Sequence, residues 1–121
     1  MTKSNIYKYH DVKSVLDRLS KKTGYKLEVI GSIRSKGVSS HDIDILLKNK
    51  IPFGYEEEKI ISINDISKLL YLLKSEFQKR YKSPIKLDLW INAGSGKTYL
   101  VRRKGKTVDL EEHNIGGFLR I

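Results

Sequence analysis

The stretch from Gly31 to Leu47 constrains this chain more than any other, because it joins a glycine-containing turn to a strand that carries two carboxylates. Asp42 and Asp44 are separated by one residue. Side chains of a strand alternate between its two faces, so these carboxylates should share one face, roughly 6.6 Å apart. Carboxylates held that close repel each other and are stable together mainly when a cation lies between them. The pair therefore predicts a cation site on one face of a β-sheet.

Length and composition indicate a small basic domain. The chain has 121 residues, which suits one domain over 1–121, with a core over about 11–91 and a C-terminal hairpin and tail over 92–121. Its formal net charge of +10 favours an anionic partner: nucleic acid, nucleotide phosphates or an anionic membrane. A basic surface that serves only solubility is the plain alternative. There are no cysteines, which excludes disulfides, zinc–thiolate sites and thiol catalysis.

The sequence shows no signal for a membrane. No stretch approaches the roughly 20 apolar residues that cross a bilayer. The first residues, Met1–Asn5, lead into no apolar signal-peptide core. We therefore expect a cytoplasmic protein, or one of the host cytoplasm if its source is a virus, with no membrane partner.

Hydrophobic periodicity near the N-terminus predicts a helix, a strand and a second, short helix. An apolar stripe at helical spacing predicts a helix over 11–22, with Asp11 as its cap and Gly24 as its end. Alternation predicts a strand over 25–30. That strand delivers the chain to a short helix that begins near Ser32.

A loop over 37–40 is expected to lead into the aspartate strand. The buried face of this strand, opposite the carboxylates, is expected to consist of Ile43, Ile45 and Leu46. The segment 51–59, which contains three consecutive glutamates, is expected to be a solvated loop or an edge hairpin.

The second half predicts a long helix and a second strand with a carboxylate. Asn64 is a good cap for a helix that runs to about Tyr81. Alternation over 85–91 then predicts a strand. The face of this strand away from its aliphatic residues carries Lys86, Asp88 and Trp90. Aspartate is depleted in strands, so Asp88 calls for an explanation more specific than a polar outer face.

The C-terminal part predicts a turn and a β-hairpin. Residues 93–98 resemble the end of a phosphate-binding Walker A loop, but Ile91 stands where that motif needs its first glycine, so 92–97 is interpreted as a turn. A hairpin is expected over 98–110, with a basic tip at 103–105. These elements predict an α/β (α+β) fold, a mixed β-sheet with helices packed mainly on one face.

Three aspartates from two strands make a sufficient ligand set for a divalent-metal site. Mg²⁺ prefers hard oxygen ligands and commonly binds protein carboxylates together with substrate phosphates. Asp42, Asp44 and Asp88 supply such carboxylates. Two ions roughly 3.5–4 Å apart can stabilise the attacking and leaving oxygens of a phosphoryl transfer. Upstream, Gly31 and Ser32 form a turn whose backbone N–H groups can bind phosphate.

These motifs resemble the nucleotidyltransferase signature of the DNA polymerase beta superfamily. The likeness covers Gly31–Arg34 and Ser39–Leu47, with a nine-residue spacer similar to that of family X DNA polymerases, and Lys86–Leu89 resembles the strand of the third carboxylate. The resemblance implies a minimal nucleotidyltransferase palm. It implies two Mg²⁺ (or Mn²⁺) ions, both bound by Asp42 and Asp44, with Asp88 binding the catalytic ion and helping to deprotonate a 3′ hydroxyl.

The remaining site residues follow from the same resemblance and from the charge of the chain. The expected contacts to the nucleoside triphosphate are Gly31, Ser32, Arg34, Lys36, Ser40 and His41. The expected contacts to nucleic acid, DNA rather than RNA, are Lys86, Trp90, Arg102, Arg103 and Lys104. Two of these positions have a structural alternative: loop packing for His41 and a partly buried sheet aromatic for Trp90.

The chain departs from the family X pattern in three respects. Ser35 replaces the second arginine of the usual Gly-Ser-x-Arg-Arg motif, the Tyr-Phe-x-Gly sugar-contacting segment is missing, and the hairpin and tail replace a thumb. Template-directed synthesis is thereby less expected than nucleotide transfer itself. A palm this short is also expected to need a second copy or a partner chain to complete a nucleic-acid groove.

Three functions follow as hypotheses. The first is metal-dependent transfer of a nucleoside monophosphate from a (d)NTP to a nucleic-acid 3′ hydroxyl. The second is an antitoxin-like transferase that adenylylates a protein partner. The third is a basic nucleic-acid-binding module without activity, which the clustered carboxylates disfavour because unneeded buried charge costs stability.

Overall fold

The fold is known from a computed structural model, which describes residues 5–51, 63–82, 84–93, 98–105 and 107–113. Ten elements occur in these ranges. In chain order they are β1 (Tyr7–Lys8), α1 (Tyr9–Thr23), β2 (Leu27–Ile30), α2 (Ser32–Lys36), β3 (Val38–Ser39), β4 (Ile43–Ile51), α3 (Ile63–Gln78), β5 (Leu87–Ala93), β6 (Thr98–Lys104) and β7 (Thr107–His113).

Five of the strands form one mixed sheet in the order β2-β4-β5-β6-β7. The central pair, β4 and β5, is parallel, and each remaining pair is antiparallel. The helix α3 lies in the connection between the two parallel strands, as parallel pairing requires a crossover. The predicted α/β (α+β) fold with a mixed sheet is confirmed.

The main core lies between the sheet and the two long helices. The apolar stripes of both long helices are buried: Val12, Val15, Leu16 and Leu19 of α1, and Ile66, Leu69, Leu70, Leu73 and Phe77 of α3. They share one cluster with alternate residues of the parallel strands, namely Ile43, Ile45 and Leu47 of β4 and Leu87, Leu89 and Ile91 of β5. Both long helices therefore pack on a single face of the sheet.

The other face of the sheet carries a small apolar cluster beside the aspartates. It consists of Ile30, Leu46, Trp90 and Leu100. The assignment of Leu46 to the buried face of Ile43 and Ile45 was wrong. Alternation puts residue 46 on the same side as residue 44, so Leu46 contacts this second cluster and Asp44 is its neighbour on that face.

Several element ends differ from the sequence prediction. The helix α1 begins at Tyr9 after Lys8, which provides no side-chain cap, so Asp11 lies in the first turn rather than at the cap. Asn64 likewise lies inside α3, which ends at Gln78. The predicted end at Gly24 is confirmed, because this glycine has a left-handed conformation with φ of 82°.

A two-stranded antiparallel ribbon was not predicted. In it β1 pairs with β3, with Tyr7 opposite Ser39 and Lys8 opposite Val38. The segment 37–40, expected to be a loop, is therefore partly a strand. Each strand has only two residues, too few to leave an alternating pattern in the sequence. The ribbon joins the start of the chain to the segment between the glycine turn and the aspartate strand.

The predicted C-terminal hairpin is confirmed as β6 and β7, which turn at Gly105. The loop expected over 51–59 and the turn expected over 92–97 begin later than predicted, because β4 extends to residue 51 and β5 to residue 93. The remainder of both segments, 52–59 and 94–97, lies outside the described residues, as does the tail from residue 114. Among the described helices, none combines the length and the apolar character needed to cross a membrane.

A carboxylate links the two long helices. Glu76 of α3 is largely buried and accepts hydrogen bonds from Lys79 and from Arg18 of α1, each at 2.8 Å. The hydrogen bonds from Lys79 and Arg18 hold the pKa of Glu76 below its ordinary value of 4.5. This interaction therefore stabilises the folded state above the unfolded pKa, and the stabilisation is lost as pH falls through the lower folded pKa.

We expect Glu76→Gln to lower the melting temperature at pH 7 and the loss to disappear in acid, where the wild-type carboxyl is itself protonated. Thermal melts between pH 2 and pH 8, roughly the range over which acidic groups titrate, measure this. Asp17→Asn is the control, because its pair with Lys13 is exposed and should contribute little. An equal loss in both variants, or a loss independent of pH, would contradict the prediction.

Candidate metal and phosphate site

The parallel pairing of β4 and β5 brings the three predicted aspartates together. Asp44 and Asp88 are directly paired across these strands. Asp42 precedes the first residue of β4, whose backbone N–H donates to the carbonyl of Lys86 at 2.9 Å. One carboxylate oxygen from each aspartate lies within 4.8 Å of the others. The three side chains are partly buried at the end of the sheet where both parallel strands begin.

The cluster is electrostatically unfavourable without a counterion. The pKa of Asp44 is raised from 3.8 to about 6, mainly by burial and also by the charges of Asp42 and Asp88, against a hydrogen bond from Trp90 that lowers it. Burial also raises the pKa of Asp88, as does the charge of Asp42, while Arg102 lowers it. Three converging carboxylates, with raised pKa values at Asp44 and Asp88, suit a hard divalent cation, which would replace the proton.

The carboxylate of Asp44 is held from two sides. Its Oδ1 accepts a hydrogen bond of 3.2 Å from the indole nitrogen of Trp90. Its Oδ2 lies so close to Gly31 that a Cβ atom added to this glycine would be 2.5 Å from the oxygen. Trp90 itself is only 8% exposed. The structure thus shows Trp90 as the buried sheet aromatic, with its ring in the apolar cluster rather than presented for stacking on a base.

The glycine turn adjoins the carboxylates directly. Gly31 has φ of 73° and ψ of −150°, a conformation that essentially only glycine adopts, and α2 begins at the next residue. A groove of about 330 Å³ runs beside this turn. Four of the predicted triphosphate contacts line it: Ser32, Lys36, Ser40 and His41. The structure therefore brings these four together, and all four are exposed.

Arg34 occupies a different environment. Its Nη1 pairs with Glu28 at 2.8 Å, and Lys48 pairs with the other oxygen of the same carboxylate, also at 2.8 Å. Glu28 on β2 was not singled out from the sequence. An arginine already committed to a carboxylate is less available to a phosphate, so Arg34 differs here from the four residues of the groove.

The predicted nucleic-acid contacts do not form one surface. Lys86 is exposed next to Asp88. On β6, Arg102 shares the face of Leu100 and the aspartates, whereas Arg103 shares the face of Val101 and borders Lys68 and Tyr71 of α3. Neighbouring residues of a strand point to opposite faces, so Arg102 and Arg103 lie on opposite sides of the sheet. The prediction of a single basic tip did not take this alternation into account. The side chain of Lys104 lies outside the described part of the structure.

Two residues of β7 extend the carboxylate face in a way the sequence did not reveal. His113 contacts Glu111 at 2.8 Å, and its ring meets the edge of Trp90 with centroids 5.5 Å apart. Arg102 also approaches Glu111 at 3.6 Å. His113 is far from the aspartates in the sequence, and the pairing of β6 with β7 brings it to this face. The hairpin prediction with its register was the one signal that could have located it.

No protein-family model matches this chain, and neither the curated proteins nor the solved structures contain a significant match.

We expect Asp44→Asn to raise the melting temperature of the metal-free protein at pH 7.5. The raised pKa of Asp44 means that its protonated form stabilises the fold fully below 3.8, and this contribution is lost as pH rises through about 6. Asparagine keeps an acceptor for Trp90 and removes the charge. Added Mn²⁺ should raise the melting temperature of the wild type and not of the variant, as followed by scanning fluorimetry in chelator and in metal.

The gain should shrink towards zero at about pH 4, where wild-type Asp44 is largely protonated. Asp17→Asn should show neither the gain nor a changed metal response. A variant less stable than the wild type at pH 7.5, or a gain that is equal at both pH values, would count against an uncompensated charge at Asp44.

Gly31→Ala tests the contact between the turn and Asp44, with Gly37→Ala as its matched control. Both glycines have positive φ, but a Cβ at Gly37 meets nothing within 4 Å. Gly37→Ala should cost about 1–2 kcal/mol of unfolding free energy from backbone strain. Gly31→Ala should cost more and also weaken the stabilisation by Mn²⁺, because it displaces the Asp44 carboxylate. Equal metal responses in urea melts of the two variants would refute the contact.

Proposed function

We propose that this protein is a metal-dependent nucleotidyltransferase that transfers a nucleoside monophosphate from a (d)NTP to the 3′ hydroxyl of a nucleic acid. One observation carries the proposal: three carboxylates from the ends of two parallel strands converge within 4.8 Å, directly against a glycine turn. A cation cluster and a phosphate turn in contact are the two parts that phosphoryl transfer requires.

Each residue of the site would have its own role in the reaction. Two divalent ions, when bound, would supply Lewis-acid stabilisation of the attacking and leaving oxygens. Asp42 and Asp44 would hold both ions, with Asp44 oriented by Trp90 and Gly31. Asp88 would hold the ion on the acceptor side and assist removal of the hydroxyl proton. The 3′ oxygen then bonds to the α-phosphorus, and the bond from that phosphorus to the pyrophosphate oxygen breaks.

The nucleotide would lie over the glycine turn. The groove of Ser32, Lys36, Ser40 and His41 offers hydroxyls and positive charge beside Gly31. These groups suit the phosphates of the triphosphate, whose negative charge Lys36 would partly balance. Arg34, paired with Glu28, would contribute mainly to the local field.

A protein acceptor is the second candidate. It is favoured by the division of the hairpin arginines, since among the described side chains of β6 only Arg102 supplies a basic group on the carboxylate face. A smaller basic surface next to the site suits a nucleic acid less well. Such a transferase would use the same aspartates and the same turn, and would differ only in the hydroxyl that attacks.

The decisive experiment measures incorporation of each labelled dNTP and NTP into a primer, with and without template, in Mg²⁺ and in Mn²⁺. Asp88→Asn and Asp42→Asn should each lower the rate on the order of 100-fold or more, because each removes a metal ligand and a transition-state charge contact. Asp17→Asn should retain full activity. A rate that persists in Asp88→Asn would overturn the proposal, and labelling of a co-expressed protein instead of the primer would favour the second candidate.

A further inference from the structure

An open groove of about 830 Å³ lies on the outer side of the β1–β3 ribbon. Its walls are the first residues of α1 with Lys8, and the end of α2 with Gly37 and Val38. The two walls are fastened to each other, because the backbone N–H of Tyr9 donates to the carbonyl of Gly37 at 3.0 Å. The groove shares Lys36 and Val38 with the smaller groove beside the glycine turn. Because the two grooves adjoin at these residues, we refer to them together as the path; its lining includes Ser32.

The charge along this path is positive. Lys8 and Lys36 are exposed, and neither forms an ion pair with any residue that the structure describes. Arg34 adds a third cation, offset by its pair with Glu28. Among the described lining residues, Asp11 is the one carboxylate. Within the described part of the chain, the groove therefore offers two ammonium groups that form no ion pair to an anionic ligand.

Apolar and aromatic groups accompany these cations. Within the described residues, three large hydrophobic side chains are exposed, and two of them, Ile6 (57%) and Val38 (42%), lie on this path. Tyr9 and His10 stand beside them, with ring centroids 5.8 Å apart. Apolar and ring surfaces interspersed with lysines suit a polymer that has phosphates along one side and flat bases along the other.

We propose that this groove binds a single-stranded nucleic acid, with the lysines on its phosphates and the exposed apolar and ring groups against its bases. Charge complementarity and the openness of the groove favour this occupant over an enclosed small molecule. The binding is independent of the proposed transfer; that the bound strand is the acceptor rests on the proposed function. The strand would approach the carboxylates from the ribbon side, past Lys36.

The test is fluorescence anisotropy of an end-labelled oligothymidylate with the full chain, across a range of salt concentrations. Lys8→Gln/Lys36→Gln should weaken binding about 10-fold at low salt and lower the slope of log affinity against log salt by about 1.4, since each lost contact to a single strand contributes about 0.7. Lys21→Gln/Lys22→Gln is the matched control. It removes the same charge from exposed lysines at the far end of α1, and the salt slope should not change.

Equal losses of affinity in the two double variants would overturn the assignment of the groove as the binding site, because they would indicate only a general effect of net charge. If polyglutamate bound as tightly as the oligonucleotide, and if this binding also depended on Lys8 and Lys36, the occupant would be an acidic peptide and the proposal would be overturned. Val38→Ser should weaken binding without changing the salt slope, which a purely ionic surface would not show. Oligouridylate in place of oligothymidylate distinguishes RNA from DNA as the preferred strand.

The proposed function and the proposal of strand binding in the groove can be contradicted independently of each other. Asp88→Asn should abolish transfer and leave anisotropy unchanged. Groove-dependent binding by a wild-type protein that transfers no nucleotide would overturn the function alone. Transfer to a primer that is insensitive to Lys8→Gln, which leaves the proposed triphosphate contact Lys36 intact, would overturn the assignment of the bound strand as acceptor.

Discussion

The pairing of β4 with β5 holds Asp42, Asp44 and Asp88 together against their own repulsion, and the rest of the fold supports that pairing. The opposing force comes from the other side of the sheet, where alternate residues of both strands are buried under α1 and α3. A shift of register by one residue would carry Asp44 into this core and Ile45 out of it, so burial and register enforce each other. Hydrophobic packing thus stabilises an arrangement of charges that would not persist alone.

Much of this arrangement could be predicted from the sequence, because helices and strands leave a local periodicity of apolar residues. The stripes of α1 and α3 have helical spacing, and β5 alternates cleanly, so the elements and their buried faces followed. Asp42 and Asp44 followed from their spacing, and Asp88 from its unusual position in a strand. The parallel pairing that joins them to Asp88 was not predicted, although a helix between two strands is the usual crossover for such pairing.

What the sequence did not reveal depends on contacts between distant segments. The ribbon of β1 and β3, the bond from Trp90 to Asp44 and the approach of His113 to Trp90 leave no local pattern. Leu46 was misplaced where an aliphatic run, Ile45–Leu47, hides the alternation. The helix starts were also misplaced: α1 begins at Tyr9, directly after β1, and α3 begins at Ile63, so the good capping residues at 11 and 64 lie inside their helices.

The hydrogen bond between Trp90 and Asp44 has an optical consequence. The chain contains one tryptophan, and its indole nitrogen contacts an aspartate at the centre of the carboxylate cluster. Indole emission responds to charge close to the ring, so the tryptophan fluorescence of this protein arises next to Asp44 and no label is needed to observe it. A buried residue that orients a carboxylate is also a built-in reporter of what that carboxylate binds.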